Sequence, residues 1–97
     1  MPTYILLMKL TEQGAKEAKE IPALIDQSVA AWEAMGGKTH SVHVTMGAYD
    51  YVAVGEGPSD EVAAAFALGL ARQGRVTTTT LKGFSRDEIA AIVAKLP

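Results

Sequence analysis

Cysteine is absent from the chain, and this excludes disulfide bonds, thiolate nucleophiles and cysteine metal ligands. An excess of one charge is missing too, because 9 basic and 11 acidic residues leave a net charge of −2. Without a basic block, the sequence predicts neither a nucleic-acid partner nor binding to an anionic membrane. The longest uncharged stretch of helical character, Val62 to Ala71, is too short to cross a bilayer.

The motifs that hold common cofactors are missing as well. Neither a Walker loop nor a G-x-G-x-x-G, G-x-S-x-G or H-E-x-x-H pattern occurs, so we predict no cofactor. The N-terminus has neither the basic segment nor the cleavage site of a signal peptide, which predicts a cytoplasmic location. The length of 97 residues predicts one domain, residues 1–97, whose small core gains stability from a partner subunit.

The first third of the chain predicts a strand followed by a helix. Residues Thr3 to Leu10 form an apolar run typical of a strand, and Thr11 offers a helix N-cap directly after it. Pro22 suits the first turn of the main helix, where its missing N–H is not needed. That helix ends at Gly36-Gly37.

A hairpin follows. Residues Lys38 to Met46 alternate between an apolar face and a polar face, which predicts a strand. Gly47 supplies the turn, and Tyr49 to Gly55 form the return strand. The apolar face carries Val42, Val44 and Met46, and the polar face carries Ser41, His43 and Thr45.

The last part of the chain predicts a helix, a strand and a short final helix. Ser59, Asp60 and Glu61 open a helix that stops at Gly74, and Val76 to Leu81 form a β-branched strand. Ser85 and Glu88 then form a capping box for the C-terminal helix, with Phe84 and Ile89 as a hydrophobic staple. One side of this helix carries an apolar stripe of Ile89, Ile92, Val93 and Leu96.

The order β-α-β-β-α-β plus a helix predicts an α+β, ferredoxin-like fold with a four-stranded antiparallel sheet. Helices would cover one face of this sheet, and the other face of a lone domain would be polar. The first strand is apolar on both faces, however, with Tyr4, Leu6 and Met8 on one and Ile5 and Leu7 on the other. A second copy of the sheet is the simplest cover, which predicts a dimeric α/β barrel and a homo-oligomer of two or more subunits.

Two segments resemble the GYD domain family. They are the turn Gly47-Ala48-Tyr49-Asp50 and a strand that follows Gly74 and contains Thr78, Thr80 and Leu81. The sequence departs from the family pattern at residues 56–60, where a residue is inserted or shifted in a loop. The resemblance implies a fold similar to the dimeric α/β barrels and implies no particular activity.

Asp50 and His43 are the candidate catalytic pair. With a turn at Gly47 and Ala48, Thr45 pairs with Asp50, so His43 becomes a diagonal neighbour of Asp50 on one sheet face. A carboxylate that orients an imidazole is a general-base arrangement. The alternative is structural, because an aspartate after a turn commonly accepts hydrogen bonds from nearby backbone amides.

Hydroxyl groups on the strands are the candidate ligand-binding residues. A few placed hydroxyls in an apolar cavity are typical of a site for a small organic ligand. The alternative is that the threonine run at 77–80 reflects only β-propensity and cross-strand pairing. The candidates are Tyr4, Ser41, Thr45, Thr78 and Thr80.

Two functions remain open on the sequence. The first is a small-molecule-binding or structural oligomer, which includes an interaction module, and the second is a cofactor-free isomerase, lyase or monooxygenase that uses His43 as base and Asp50 to orient it. No metal site is predicted, because His40 and His43 are spaced to lie on opposite faces of their strand.

Overall fold

The computed structural model describes residues 1–97 and contains one four-stranded antiparallel sheet with the strand order β2-β3-β1-β4. This order confirms the ferredoxin-like α+β architecture predicted from the sequence. A short 3₁₀ turn, Ala18–Glu20, precedes the second helix. The elements are β1 (Thr3–Leu10), α1 (Glu12–Lys16), α2 (Ile21–Ala34), β2 (Lys38–Val44), β3 (Tyr51–Glu56), α3 (Asp60–Arg72), β4 (Val76–Gly83) and α4 (Arg86–Val93).

The central strand β1 is apolar on both faces of the sheet, as predicted. Tyr4 and Met8 point to the helices, since Tyr4 packs on Trp32 of α2 and Ala63 of α3. Ile5 and Leu7 therefore point away from the helices, because successive strand residues alternate between faces. Their partners on β3 share that face: Ile5 pairs with Val54, and Leu7 pairs with Val52. We call this surface the open sheet face.

Trp32 anchors α2 to the sheet by lying against glycine backbone. A Cβ atom at Gly37 would fall 2.3 Å from the indole, and one at Gly57 would fall 2.5 Å from it. The ring also meets Tyr4 edge-on, with 6.5 Å between centroids. Glycine at these positions is therefore what lets the indole approach the backbone closely enough to close this end of the core.

The hairpin loop is longer than the sequence predicts, so β2 stops at Val44 and β3 starts at Tyr51. The ladder closes where the Thr45 amide donates to the Asp50 carbonyl at 2.8 Å. Beyond that point the Tyr49 carbonyl accepts from the Thr45 hydroxyl at 2.6 Å, and this side-chain bond replaces the backbone hydrogen bond that a longer strand would make. Residues 46–49 therefore form a loop and not strand ends. Gly47 adopts a positive φ of 111° within it.

The C-terminal helix α4 begins where the capping box predicts. The Ser85 hydroxyl accepts from the Glu88 amide, and the Glu88 carboxylate accepts from the Ser85 amide. All residues from 84 to 97 are exposed, so α4 is not buried against the rest of the chain. None of the four α-helices has the length and apolarity to span a membrane.

Candidate functional site

Asp50 joins the hairpin to the end of β1 through two hydrogen bonds, and a third bond holds it within the hairpin. Its carboxylate Oδ2 accepts from the Leu10 amide at 2.7 Å, and its own amide donates to the Met8 carbonyl at 2.8 Å. Its carbonyl accepts from the Thr45 amide at 2.8 Å. The geometry matches the structural role that the sequence left open for this residue.

His43 lies opposite Val52, in the register that the sequence predicts. Its side chain is exposed on the open sheet face. No hydrogen bond joins it to Asp50, whose carboxylate turns towards the backbone of β1. The assignment of His43 as general base and Asp50 as its orienting group therefore stays a prediction.

The five candidate ligand-binding residues lie on two different faces of the sheet. Thr78 and Thr80 pair with Met8 and Leu6, which places both threonines and Tyr4 on the helix side. Ser41 pairs with Val54 on the open sheet face, and the threonines that share this face are Thr77 and Thr79. Thr45 bonds its own hairpin loop through its hydroxyl. The five hydroxyls therefore do not line one cavity within the chain, and their binding role stays a prediction.

Tyr4 is engaged with an acid that the sequence did not single out as a partner. Its hydroxyl donates to Asp60 Oδ1 at 2.6 Å, and Lys82 Nζ lies 3.2 Å from the same oxygen. Burial and then the hydrogen bond to Asp60 raise the pKa of Tyr4 to about 12, while the Tyr4 bond lowers the pKa of Asp60 from its ordinary value. This cluster attaches the start of β1 to the first turn of α3.

A cavity of about 110 Å³ lies between the sheet and helices α2 and α3. It is on the side opposite the open sheet face, whereas the sequence pattern predicts a chamber between two sheets. Its walls are mainly apolar, and Tyr4 is the only one of the seven candidate site residues among them. Lining residues from the sheet and the two helices include Leu6, Met8, Ile25, Trp32, Phe66 and Leu70.

The two histidines do not gather a metal site within the chain, since no three His, Asp or Glu side chains meet in a suitable cluster. The β2–β3 register shifts between Thr39 and Ser41, and His40 falls in this irregular position. His40 Nε2 lies 2.7 Å from Glu56 Oε2. The alternation that assigned His40 to the face opposite His43 is thus interrupted at the bulge.

Two apolar surfaces remain without cover in the chain. The open sheet face carries Ile5, Leu7, Val52 and Val54, all half-buried, and Leu81, which is 43% exposed. The second surface is the stripe of α4, which we call the α4 stripe. It consists of Ile89, Ile92 and Val93 of α4 and of Leu96, which follows the end of the helix, and these side chains are 38–69% exposed.

Comparison with known proteins gives a full-length similarity. The GYD domain model matches residues 4–93. A protein from Thermus thermophilus, named "Glutamine synthetase and cystathionine beta-lyase binding protein", is 32% identical over 97 residues, which cover 99% of each chain. No solved structure gives a significant match.

Proposed function

The chain belongs to the GYD domain family, and on that premise we propose that it is a homo-oligomeric binding module whose target is a metabolic enzyme, with glutamine synthetase as the first candidate. The relative that supports this proposal is named for binding glutamine synthetase and cystathionine beta-lyase, and it aligns with this chain from end to end.

The α4 stripe is the observation that carries the proposal. An amphipathic helix that lays its apolar side into a groove is a common way for one protein to bind another. The helix has a complete N-terminal cap, so it is preformed and loses little conformational entropy on docking. The hydrogen bonds that cap both ends of α4 join residues within 85–96 to one another. None of these bonds ties the α4 stripe to the core of the domain.

The open sheet face supports the homo-oligomer. Exposed apolar patches of this kind mark association sites in soluble proteins. Two copies that place these faces together would bury Leu7 and Val52 of each subunit, and the α4 stripes would stay available for the target. The proposal thus gives each apolar surface a separate role.

Binding to the glutamine synthetase of the same organism tests the proposal. Purified glutamine synthetase is immobilised, and the wild-type protein is compared with Ile92→Glu by surface plasmon resonance. The matched control is Ala91→Glu, which adds the same charge about 150° around the helix from the centre of the stripe, since successive residues are about 100° apart. We expect saturable binding by the wild type and by Ala91→Glu, with a loss of about tenfold or more for Ile92→Glu.

Equal binding by all three proteins would show that the α4 stripe is not the docking surface. Absence of saturable binding by the wild type to glutamine synthetase, and then to cystathionine beta-lyase, would contradict the target class. Circular dichroism of each variant verifies that α4 is retained, because glutamate is tolerated well within helices.

The second candidate function is the cofactor-free enzyme with His43 as base. One observation is in its favour: the Thr45 amide donates to the Asp50 carbonyl, which continues the β2–β3 register and makes Asp50 a diagonal neighbour of His43. It requires that the His43 ring and the Asp50 carboxylate come within about 3.2 Å, directly or through one water, when the oligomer forms. A crystal structure of the oligomer tests this, and two side chains that stay apart with no bridging water would contradict it.

A further inference from the structure

The space between the sheet and the helices is a groove that stays open to solvent along the gap between α2 and α3. Its floor is the helix-facing side of β1, where Tyr4, Leu6, Met8 and Leu10 line it in succession. These four residues cover about 20 Å along the strand. Side chains of both helices form the walls, and some of them, such as Phe66, are only half-buried. We call this space the sheet–helix groove.

The two ends of the groove differ in burial. At the inner end the side chains of Tyr4, Trp32 and Ala63 pack together and are buried, so this end is closed. At the outer end the groove passes Leu10, which is half-buried, and reaches Arg75, whose side chain is 33% exposed. A molecule in the groove therefore has one end in apolar surroundings and the other end in contact with water.

Arg75 is the only charged residue that lines the groove. Its Nε donates to Glu17 Oε2 at 3.0 Å, and its Nη1 donates to Gln73 Oε1 at 3.1 Å. A guanidinium has five N–H donors, so these two bonds leave others for a molecule at the outer end. A carboxylate is the group that pairs best with them, because arginine and carboxylate form charge-assisted hydrogen bonds.

The position of Arg75 is fixed by the surrounding backbone. Its carbonyl accepts from the Thr11 amide at 3.0 Å, and the Thr11 hydroxyl donates to the neighbouring Gly74 carbonyl at 2.6 Å. Gly14 lies against the same peptide, because a Cβ atom there would overlap the Arg75 carbonyl. Together with the ion pair to Glu17, these contacts hold the guanidinium in place before a ligand arrives, which lowers the entropy cost of binding.

The length of the groove suits a linear hydrocarbon chain. An extended chain advances about 1.3 Å per carbon, so about eight to twelve carbons cover about 10–15 Å of the roughly 20 Å available. The volume beside the sheet is about 110 Å³, and a crevice of about 190 Å³ between α2 and α3 shares Leu24, Ser28 and Phe66 with it. A thin, flexible chain can follow this space and extend into the crevice.

We propose that the sheet–helix groove binds a linear aliphatic monocarboxylate of about eight to twelve carbons, with its methyl end beside Trp32 and its carboxylate at Arg75. Burial of the chain against the apolar walls supplies most of the affinity, and Arg75 sets the orientation. The groove lies on the helix side of the sheet, apart from the open sheet face and the α4 stripe. The proposal is therefore independent of the homo-oligomer and of the target enzyme.

Three eight-carbon probes that differ only in the head group test the proposal. Octanoate carries the carboxylate, 1-octanol is uncharged, and octylammonium is cationic. Each is titrated into the full chain below its micelle concentration, and binding is followed by the NMR signals of the side-chain methyl groups. Leu6, Ile25 and Leu70 report on the groove, while Ile5 and Ile92 report on the open sheet face and the α4 stripe.

We expect octanoate to saturate the groove signals and to bind about threefold or more tightly than 1-octanol. Non-specific contact with apolar surface gives the opposite order, because an uncharged probe leaves water more readily. Octylammonium should bind most weakly, since its charge repels that of Arg75. Hexanoate should bind about fourfold or more weakly than octanoate, because each additional CH₂ group buried in the groove adds to the affinity.

Arg75→Gln removes the positive charge from the groove. The matched control is Arg72→Gln, which removes the same charge from the last turn of α3, outside the groove. We expect octanoate to bind Arg75→Gln about three- to tenfold more weakly than the wild type and to lose its advantage over 1-octanol. Octanoate should bind Arg72→Gln as it binds the wild type.

Ser28→Phe tests the site of the hydrocarbon chain without changing Arg75. Ser28 is half-buried on α2 and lines both the groove and the crevice, so a phenyl ring there fills the space for the chain. Ala30→Phe places the same ring on the exposed side of α2, outside the groove. We expect Ser28→Phe to weaken octanoate binding by about tenfold or more, and Ala30→Phe to keep it.

Each other outcome overturns the proposal. Saturation at Ile5 or Ile92 alone, or no saturation at any methyl group, would show that the groove takes no such ligand. Equal binding of octanoate to the wild type and Arg75→Gln would show that the arginine does not recognise the head group. Equal binding to the wild type and Ser28→Phe would place the chain elsewhere, and tighter binding of 1-octanol or octylammonium would contradict a carboxylate ligand.

Discussion

The carboxylate of Asp50 accepts a hydrogen bond at 2.7 Å from the backbone amide of Leu10, a residue 40 positions earlier in the chain. The bond lies at the end of β1, where the strand leaves the sheet and its amide has no further ladder partner on β3. A side chain from the hairpin thus completes the hydrogen bonding of the central strand.

The first prediction concerns this bond. Replacing Asp50 with alanine removes the acceptor and leaves the Leu10 amide, which is part-buried, without its partner. We expect a loss of about 1–3 kcal/mol in the free energy of unfolding, measured with urea in the absence of any ligand.

His43→Ala is the control for Asp50→Ala. The His43 side chain is exposed and makes no hydrogen bond, so its removal should change the unfolding free energy by no more than about 0.5 kcal/mol. Unchanged stability of Asp50→Ala would show that the bond to Leu10 is dispensable, and it would favour a functional role for the carboxylate.

The second prediction concerns pH. The pKa of Tyr4 is raised from 10.0 to about 12, so between these values the unfolded tyrosine loses its proton while the folded one keeps it. The contribution of Tyr4 to stability is therefore complete below pH 10 and is lost as the pH rises towards 12. The stability advantage of the wild type over Tyr4→Phe should shrink across this range.

Urea unfolding at several pH values measures this difference. Burial also raises the pKa of Tyr51, but that contribution is common to both proteins and cancels in the comparison. A difference between wild type and Tyr4→Phe that stays constant between pH 10 and 12 would contradict the link between Tyr4 ionisation and folding.

The third prediction concerns the open sheet face. Leu7→Glu places a charge at the centre of this surface, between Val52 on β3 and Thr79 on β4. If two sheets pack together through this face, the variant should sediment as a monomer at micromolar concentration while the wild type sediments as a dimer or a larger species.

Leu68→Glu makes the same substitution on the outer side of α3, where Leu68 is 71% exposed. Leu68→Glu should leave the dimer intact in sedimentation. If the wild type is larger than a dimer and Leu68→Glu reduces it to a dimer, then α3 forms a second interface. A wild type that sediments as a monomer, or a Leu7→Glu variant with unchanged assembly, would contradict the barrel arrangement.

The fourth prediction compares two helix caps. Ser85 caps α4, which is exposed, and Ser59 caps α3, whose Ala63 and Leu70 are buried in the core. Alanine at either site removes a cap worth about 1 kcal/mol. We expect Ser59→Ala to lower the global unfolding free energy, and Ser85→Ala to fray α4 with little effect on the rest.

Amide hydrogen exchange separates the two cases. Exchange at the α4 amides should accelerate in Ser85→Ala, while exchange in β1 should stay as in the wild type. An equal loss of global stability in both variants would show that α4 packs against the domain or its partner more closely than the single chain indicates.

Elements with strong local signals could be predicted from the sequence. The first strand begins and ends at the predicted residues, Thr3 and Leu10, because an apolar run is bounded there by a helix cap. The capping box at Ser85 also forms as predicted, since its two hydrogen bonds join residues three positions apart. Short-range hydrogen bonds of this kind are specified by residue type and spacing.

Contacts between distant residues could not be predicted in the same way. The bond from Tyr4 to Asp60 spans 56 positions, and it requires the start of α3 to lie beside the start of β1. The hairpin loop also differs from the prediction, because the Thr45 hydroxyl donates to the Tyr49 carbonyl and the strands end earlier. The cavity likewise depends on how far the helices stand from the sheet.

Trp32 is the only tryptophan in the chain, and its ring is buried in the wall of the cavity between Tyr4 and Phe66. Its indole emission, excited at wavelengths that tyrosine does not absorb, therefore reports on one buried position, and no label is required to follow it. Global unfolding would shift the emission to longer wavelength, and a quencher small enough to pass between α2 and α3 would dim it without unfolding.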